Sequence, residues 1–117
     1  MAEAVNLLTL TPERRADWEA AADGRVVVRI PKFRGRLGRW LVPRLRRPYF
    51  NIRLDALGSV VWRLCDGRTP VSVMAAELTR ELGAEAGEPD ALLARIAAFL
   101  RQLERGDLVT IAPPHQE

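Results

Sequence analysis

Apolar residues along this chain of 117 residues change their period from place to place, and each change predicts an element. "RVVVRI", ended by Pro31, is a β-branched run that reads as a strand. In "YFNIRL" the residues Phe50, Ile52 and Leu54 alternate with Tyr49, Asn51 and Arg53, the period of a half-buried strand whose first set faces a core. From Asp55, placed as an N-cap, the period becomes helical. Leu57, Val60, Val61 and Leu64 form one stripe that Asp66-Gly67 ends. Thr69-Pro70 opens a second helix with the stripe Val71, Met74, Ala75, Leu78 and Leu82, stopped by Gly83. A third helix is predicted from about Asp90 to Arg105, burying Leu92, Leu93, Ile96, Phe99, Leu100 and Leu103. Gly106 ends it, "DLVTI" reads as a closing strand, and Pro113-Pro114 begin a loose tail. Ahead of all this, "TPERRADWEAAADG" predicts a helix with Thr11 as N-cap, Pro12 in the first position and Asp23-Gly24 as the stop.

The order of elements predicts an α+β domain, winged-helix-like. It has an N-terminal β element, three helices, a short C-terminal strand and an extra N-terminal helix. The expected organisation is an N-terminal extension over 1–48, a core over 49–111 and a tail over 112–117. A hydrophobic fraction of 48% suits a folded domain of this size. The single cysteine, Cys65, excludes an internal disulfide and fits a reducing cytosol. No signal-peptide pattern and no apolar run of membrane-spanning length is present, so a cytoplasmic location is expected.

Charge changes the picture only locally. The net charge is +3, yet residues 32–47 hold 7 of the 18 basic side chains and no acid, leaving 11 basic against 15 acidic elsewhere. Lys32, Arg34, Arg36, Arg39, Arg44, Arg46 and Arg47 form this patch, with Trp40 among them in a setting suited to cation–π packing. A winged-helix nucleic-acid binder using this segment is one alternative. Against DNA reading by the third helix stand Glu85, Glu88 and Asp90, which gather at its N-terminus and repel phosphate. Membrane binding is opposed by Gly35, Gly38 and Pro43, which interrupt any amphipathic helix there.

Groups able to converge for catalysis are scarce. The lone histidine, His115, lies in the tail, and Cys65 sits beside an apolar stripe, where a buried small side chain is the expected role. Ser59 and Ser72 fall within predicted helices without a partner, and no metal-ligand spacing occurs. Trp18 and Trp62 are placed on helices at core margins. The chain is expected not to be an enzyme, and to need neither metal nor cofactor.

The segment "LDALGSVVWRLCDGRTPVSVMAAELTRELG", continued by "LLARIAAFLRQLERGDLVTI", resembles the PqqD family of pyrroloquinoline quinone biosynthesis. The features that match are the Leu54-Asp55 helix entry, the "W-x-L-C-D-G-R-T" exit from Trp62 to Thr69, and the Val73-to-Leu82 helix. The "F-L-x-x-L-x-x-x-x-L" pattern from Phe99 to Leu108 matches as well. The likeness spans about half the chain. It implies a RiPP recognition element of three strands and three helices that binds the leader of a ribosomally made precursor peptide. Such a module presents the leader to a modifying enzyme, a radical SAM protein in the quinone pathway. The leader adds as a strand beside the strand preceding the first helix and packs against the third helix.

Carried over by position, the peptide-binding residues are Tyr49, Phe50, Asn51, Ile52, Arg53 and Leu54, with Arg95, Phe99, Gln102 and Arg105 from the helix. Arg53, Arg95, Gln102 and Arg105 would pair with acidic leader residues. An exposed strand edge is suited to such addition, because its backbone groups are open and alternate side chains give specificity. The helix at Trp18 and the basic segment depart from the family pattern. A structural dimerisation or assembly role, which would make a homodimer, is the other alternative.

Overall fold

The structure is a computed structural model describing residues 7–31, 40, 44 and 49–112. Its chain divides into two compact units. One joins Met1–Arg15 to Ala56–Glu117, and the other is Ala16–Asp55.

In the second unit the β-branched run makes a central strand. β2 (Asp17–Ala20), β3 (Val26–Pro31) and β4 (Tyr49–Arg53) form an antiparallel sheet in the order β2-β3-β4. Trp18 stands opposite Val28, which stands opposite Ile52, and Ile30 stands opposite Phe50. Opposite residues share a face, so Trp18, Val28, Ile30, Phe50 and Ile52 line one side. Asp17, Glu19, Arg29, Asn51 and Arg53 line the other. β2 turns into β3 at Ala21–Arg25, where Gly24 has φ +84°, and the Asp23 carboxylate accepts the Arg25 N–H at 3.1 Å.

This arrangement corrects two expectations. The stretch around Trp18 is a strand, not a helix. Helix-like punctuation at Thr11-Pro12 and Asp23-Gly24 yields to pairing of Asp17–Ala20 with β3, whose valines offer a better apolar surface. Trp18 is 37% exposed on that strand. Phe50 and Ile52 do alternate with polar residues, but they do not face a core: they are 54% and 43% exposed, and all of β4 is exposed. Burial is complete at Val26 and Val28 of the central strand and falls toward the edge, where β4 has, among the described residues, a sheet neighbour on one side only.

The first unit contains a short 3-10 turn (Leu7–Thr9), β1 (Thr11–Arg14), and α1 (Ala56–Leu64). After these come α2 (Val71–Leu82), a 3-10 turn (Gly83–Ala86), α3 (Pro89–Arg105) and β5 (Val109–Ala112). β1 pairs antiparallel with β5, Thr11 opposite Ala112 and Arg14 opposite Val109. Pro12 is fully buried within β1. Its carbonyl accepts the Gly67 N–H at 2.8 Å, and the Arg14 N–H donates to the Cys65 carbonyl at 2.9 Å. Residues 12 and 14 therefore turn their backbone groups away from β5, so the N–H that proline lacks costs no ladder bond. The Arg14 guanidinium continues toward the end of α1, donating to the Trp62 carbonyl at 3.0 Å and the Arg63 carbonyl at 2.8 Å. A cation there satisfies carbonyls that the helix cannot.

The three helices lie close to their predicted spans. Val71, Met74 and Leu78 of α2 are buried, as are Leu92, Ile96, Leu100 and Leu103 of α3. α1 buries more than its stripe: every residue from Leu57 to Trp62 is enclosed. Trp62 has no exposed surface, so it belongs to the core's centre and not to its margin.

Between α1 and α2 the "DGRT" turn is organised by one carboxylate. Asp66 accepts the Arg68 N–H at 2.9 Å, the Thr69 N–H at 2.8 Å and the Thr69 hydroxyl at 3.0 Å. Gly67, at φ +80°, takes a conformation that side chains disfavour, and an added Cβ would meet the Glu13 side chain at 3.3 Å. Partial burial would raise the Asp66 carboxyl, but the hydrogen bonds from Arg68 and Thr69 outweigh it and hold it below the usual carboxylate range. A depressed folded pKa means that this stabilisation is present above the ordinary carboxylate value and is lost as pH falls through the lower folded value. Replacing Asp66 with Ala should cost about 1–2 kcal/mol, the range of a lost cap. In thermal melts, the deficit should shrink as the pH falls below the ordinary carboxylate range, where the unfolded chain takes up the proton first, and should vanish once the native carboxylate is protonated as well.

Candidate functional site

β4 is the open edge of its sheet: among the described residues no strand pairs with its outer side. Which backbone groups face outward follows from one bond. The Leu54 N–H donates to the Val26 carbonyl at 2.8 Å, so residues 26 and 54 are a hydrogen-bonded pair. Antiparallel ladders alternate bonded and non-bonded pairs. Hence Phe50 and Ile52 turn their N–H and C=O groups inward to β3, while Tyr49, Asn51 and Arg53 turn theirs outward. The apolar side chains Phe50 and Ile52 thus stand on residues whose backbones are engaged. The open donors and acceptors belong to the polar residues between them. Leu54 is 8% exposed and bonded to β3, so it anchors the strand's end and presents no surface.

The polar face is ordered by ion pairs. Arg53 donates to Asp23, and Arg29 lies 3.7 Å from Glu19 with its guanidinium 5.8 Å from the Tyr49 ring centre. Sequence reasoning named Arg53 but missed Asp23, Glu19 and Arg29. A helix drawn through 11–24 hid two of the acids, and only the strand alternation of "DWEA" against "VVVRI" could have exposed them.

In the other unit, α3 carries Arg95, Gln102 and Arg105 exposed and Phe99 half-buried. The Arg105 side chain reaches back to the Arg101 carbonyl at 3.5 Å. These four lie at roughly helical spacing outside the buried stripe. Two shallow hollows also occur in this unit. One, of about 460 Å³, lies by Leu8, Thr11, Arg68 and Pro70; the other, of about 370 Å³, lies by Leu10, Leu100, Arg101 and Ile111.

Of the basic patch, Arg44 is described, and its guanidinium stacks 4.7 Å from the Trp40 ring centre while donating to the Trp40 carbonyl. The cation–π setting expected for Trp40 is therefore present. Lys32, Arg34, Arg36, Arg39, Arg46 and Arg47 lie outside the described residues, as does His115.

Cys65 is completely buried, and desolvation pushes its thiol up to about 12 against the opposing pull of Arg14. Such a thiol is protonated and sealed. Native protein should release essentially no colour from a disulfide thiol reagent at neutral pH, and one equivalent once denatured. Rapid native labelling would show that α1 opens readily. Among the described residues, no group of three metal-ligating side chains gathers, and no helix is long and apolar enough to cross a membrane.

No curated protein and no solved structure matches the chain. The family model described as Coenzyme PQQ synthesis protein D (PqqD) matches residues 49–109. That interval runs from the start of β4 through all three helices to the first residue of β5. It takes in the Asp66 turn and just over half of the chain, and on this ground the protein belongs to the PqqD family.

Proposed function

We propose that this protein is a non-enzymatic peptide-recognition module. It receives the leader of a ribosomally made precursor peptide as an added strand on the outer edge of β4 and presents it to a peptide-modifying enzyme, of the radical SAM type. The observation that carries this reading is the edge itself: outward backbone groups at Tyr49, Asn51 and Arg53, set between exposed apolar side chains at Phe50 and Ile52. An extended peptide satisfies such groups and packs alternate side chains against the stripe. Family membership supports the peptide and enzyme partners.

The test is a titration of the isotope-labelled protein with the leader of a precursor encoded beside its gene. Slowed amide exchange at Tyr49, Asn51 and Arg53 is the expected result. Unchanged exchange at those three amides, with a leader that the modifying enzyme accepts, would overturn strand addition.

A further inference from the structure

Resting on the strand-addition reading, we infer that β4 selects its peptide by alternating apolar side chains and not by acidic charge. Three observations converge on this. First, Phe50 and Ile52 point their backbones inward, so a strand added outside in the antiparallel sense, like the rest of this sheet, meets them as non-hydrogen-bonded pairs. In such pairs the Cα atoms approach to about 4.5 Å, against about 5.5 Å in bonded pairs, so side chains there make the closer contact. Second, these two side chains continue a row already buried in the centre of the sheet. Ile52 stands beside Val28, which has no exposed surface, and Phe50 beside the half-buried Ile30. A fourth strand with apolar residues two apart would extend that row by one more column. Its hydrophobic gain lies on ground that is half covered already.

Third, the cations on the opposite face are occupied. Arg53 is paired with Asp23, and Asp23 is itself fixed by the Arg25 N–H. Arg29 lies between Glu19 and the Tyr49 ring. An acidic peptide residue beside Arg53 would have to displace or share a partner that is already in place. It would also meet the charge of Asp23. The polar face therefore tolerates neutral polar residues and does not reward acids. The ligand class is an extended segment with aliphatic or aromatic side chains at two alternate positions and small polar residues, such as threonine, between them.

The experiment uses the full chain and three synthetic peptides. One alternates isoleucine with threonine. A second has the same composition with its isoleucines adjacent, so that they fall on both faces. The third alternates isoleucine with glutamate. Binding is read from the amide shifts of Tyr49, Asn51 and Arg53, at low and at moderate salt.

The alternating peptide should bind roughly tenfold more tightly than the adjacent one, the scale expected from one large apolar side chain moved out of contact. Glutamate should bring no gain at either salt concentration. Ile52→Thr, which keeps a β-branched residue in the strand, should lose about as much, while Arg53→Gln should change affinity less than about threefold, as expected of an exposed pair. Equal affinity of the first two peptides would overturn the inference and leave strand addition standing. So would tighter, salt-sensitive binding of the glutamate peptide that Arg53→Gln abolishes. If no peptide shifts those amides, strand addition and the selection built on it both fall.

Discussion

Asn51→Pro should abolish most peptide binding while leaving the protein folded. Asn51 turns its N–H outward, away from β3, so proline there removes no bond of the β3–β4 ladder. The fixed φ of proline is tolerated at an edge, and the preceding Phe50 is already extended, as a residue before proline prefers to be. What is lost is the donor at the middle of the proposed docking edge, and the ring stands where the added strand would lie. One buried acceptor left unsatisfied on the peptide costs about 1–3 kcal/mol, so affinity should fall roughly 10- to 100-fold. Ile52→Pro is the control: its N–H faces β3, so the same substitution one residue on should destabilise the sheet. Calorimetric titration and thermal melts on the pair separate the two effects. An Asn51→Pro protein that melts normally and binds normally would place the peptide elsewhere.

The largest effect on stability should come from Trp62→Ala. Trp62 has no exposed surface, and its neighbours on α1 from Leu57 to Val61 are buried with it. Truncating a buried tryptophan costs about 3–5 kcal/mol, against a total of about 5–15 for a domain. The Ala variant should lose its cooperative transition or melt at far lower temperature. Trp62→Phe should cost markedly less than its loss of volume suggests. The indole Nε1 has no acceptor among the described residues, and phenylalanine removes that donor along with its desolvation cost. If the Phe variant is destabilised as severely as the Ala variant, the N–H has a partner that matters.

Much of the fold was legible because helices announce themselves locally. The stripes of α2 and α3, the glycine stops at Gly83 and Gly106, and the "DGRT" turn all depend on neighbours within a few residues. The N-terminal strands were not legible for the opposite reason. Thr11-Pro12 is a sound helix start by local criteria, but β1 exists because β5 and the Cys65–Gly67 backbone offer it partners far along the chain. On β4 the expected alternation holds, but Phe50 and Ile52 are exposed where a core was expected. Period two tells which residues share a face, and it cannot tell whether that face is covered. The exposed stripe of Phe50 and Ile52 is therefore a property of the sheet's edge that only its neighbours reveal. The ion pairs of Arg53 and Arg29 were hidden for the same reason, since Asp23 and Glu19 reach them only once β2 is a strand.

The pairing of β1 with β5 has a consequence for how the protein is made. Among the described residues, β2, β3 and β4 take their ladder partners from a contiguous stretch, so their ladder can close as soon as residue 53 emerges from the ribosome. β1 is synthesised before any of them, yet its ladder partner is β5, Thr11 waiting for Ala112. Closing so long a loop is slow, and pairing it late leaves a strand unclaimed in the meantime. A growing chain thus displays its apolar edge at Phe50 and Ile52 before β1 and β5 have met. The strand left open in that interval is β1, so the time between its synthesis and that of Val109–Ala112, and not the speed of helix formation, sets how long it is exposed to unwanted pairing.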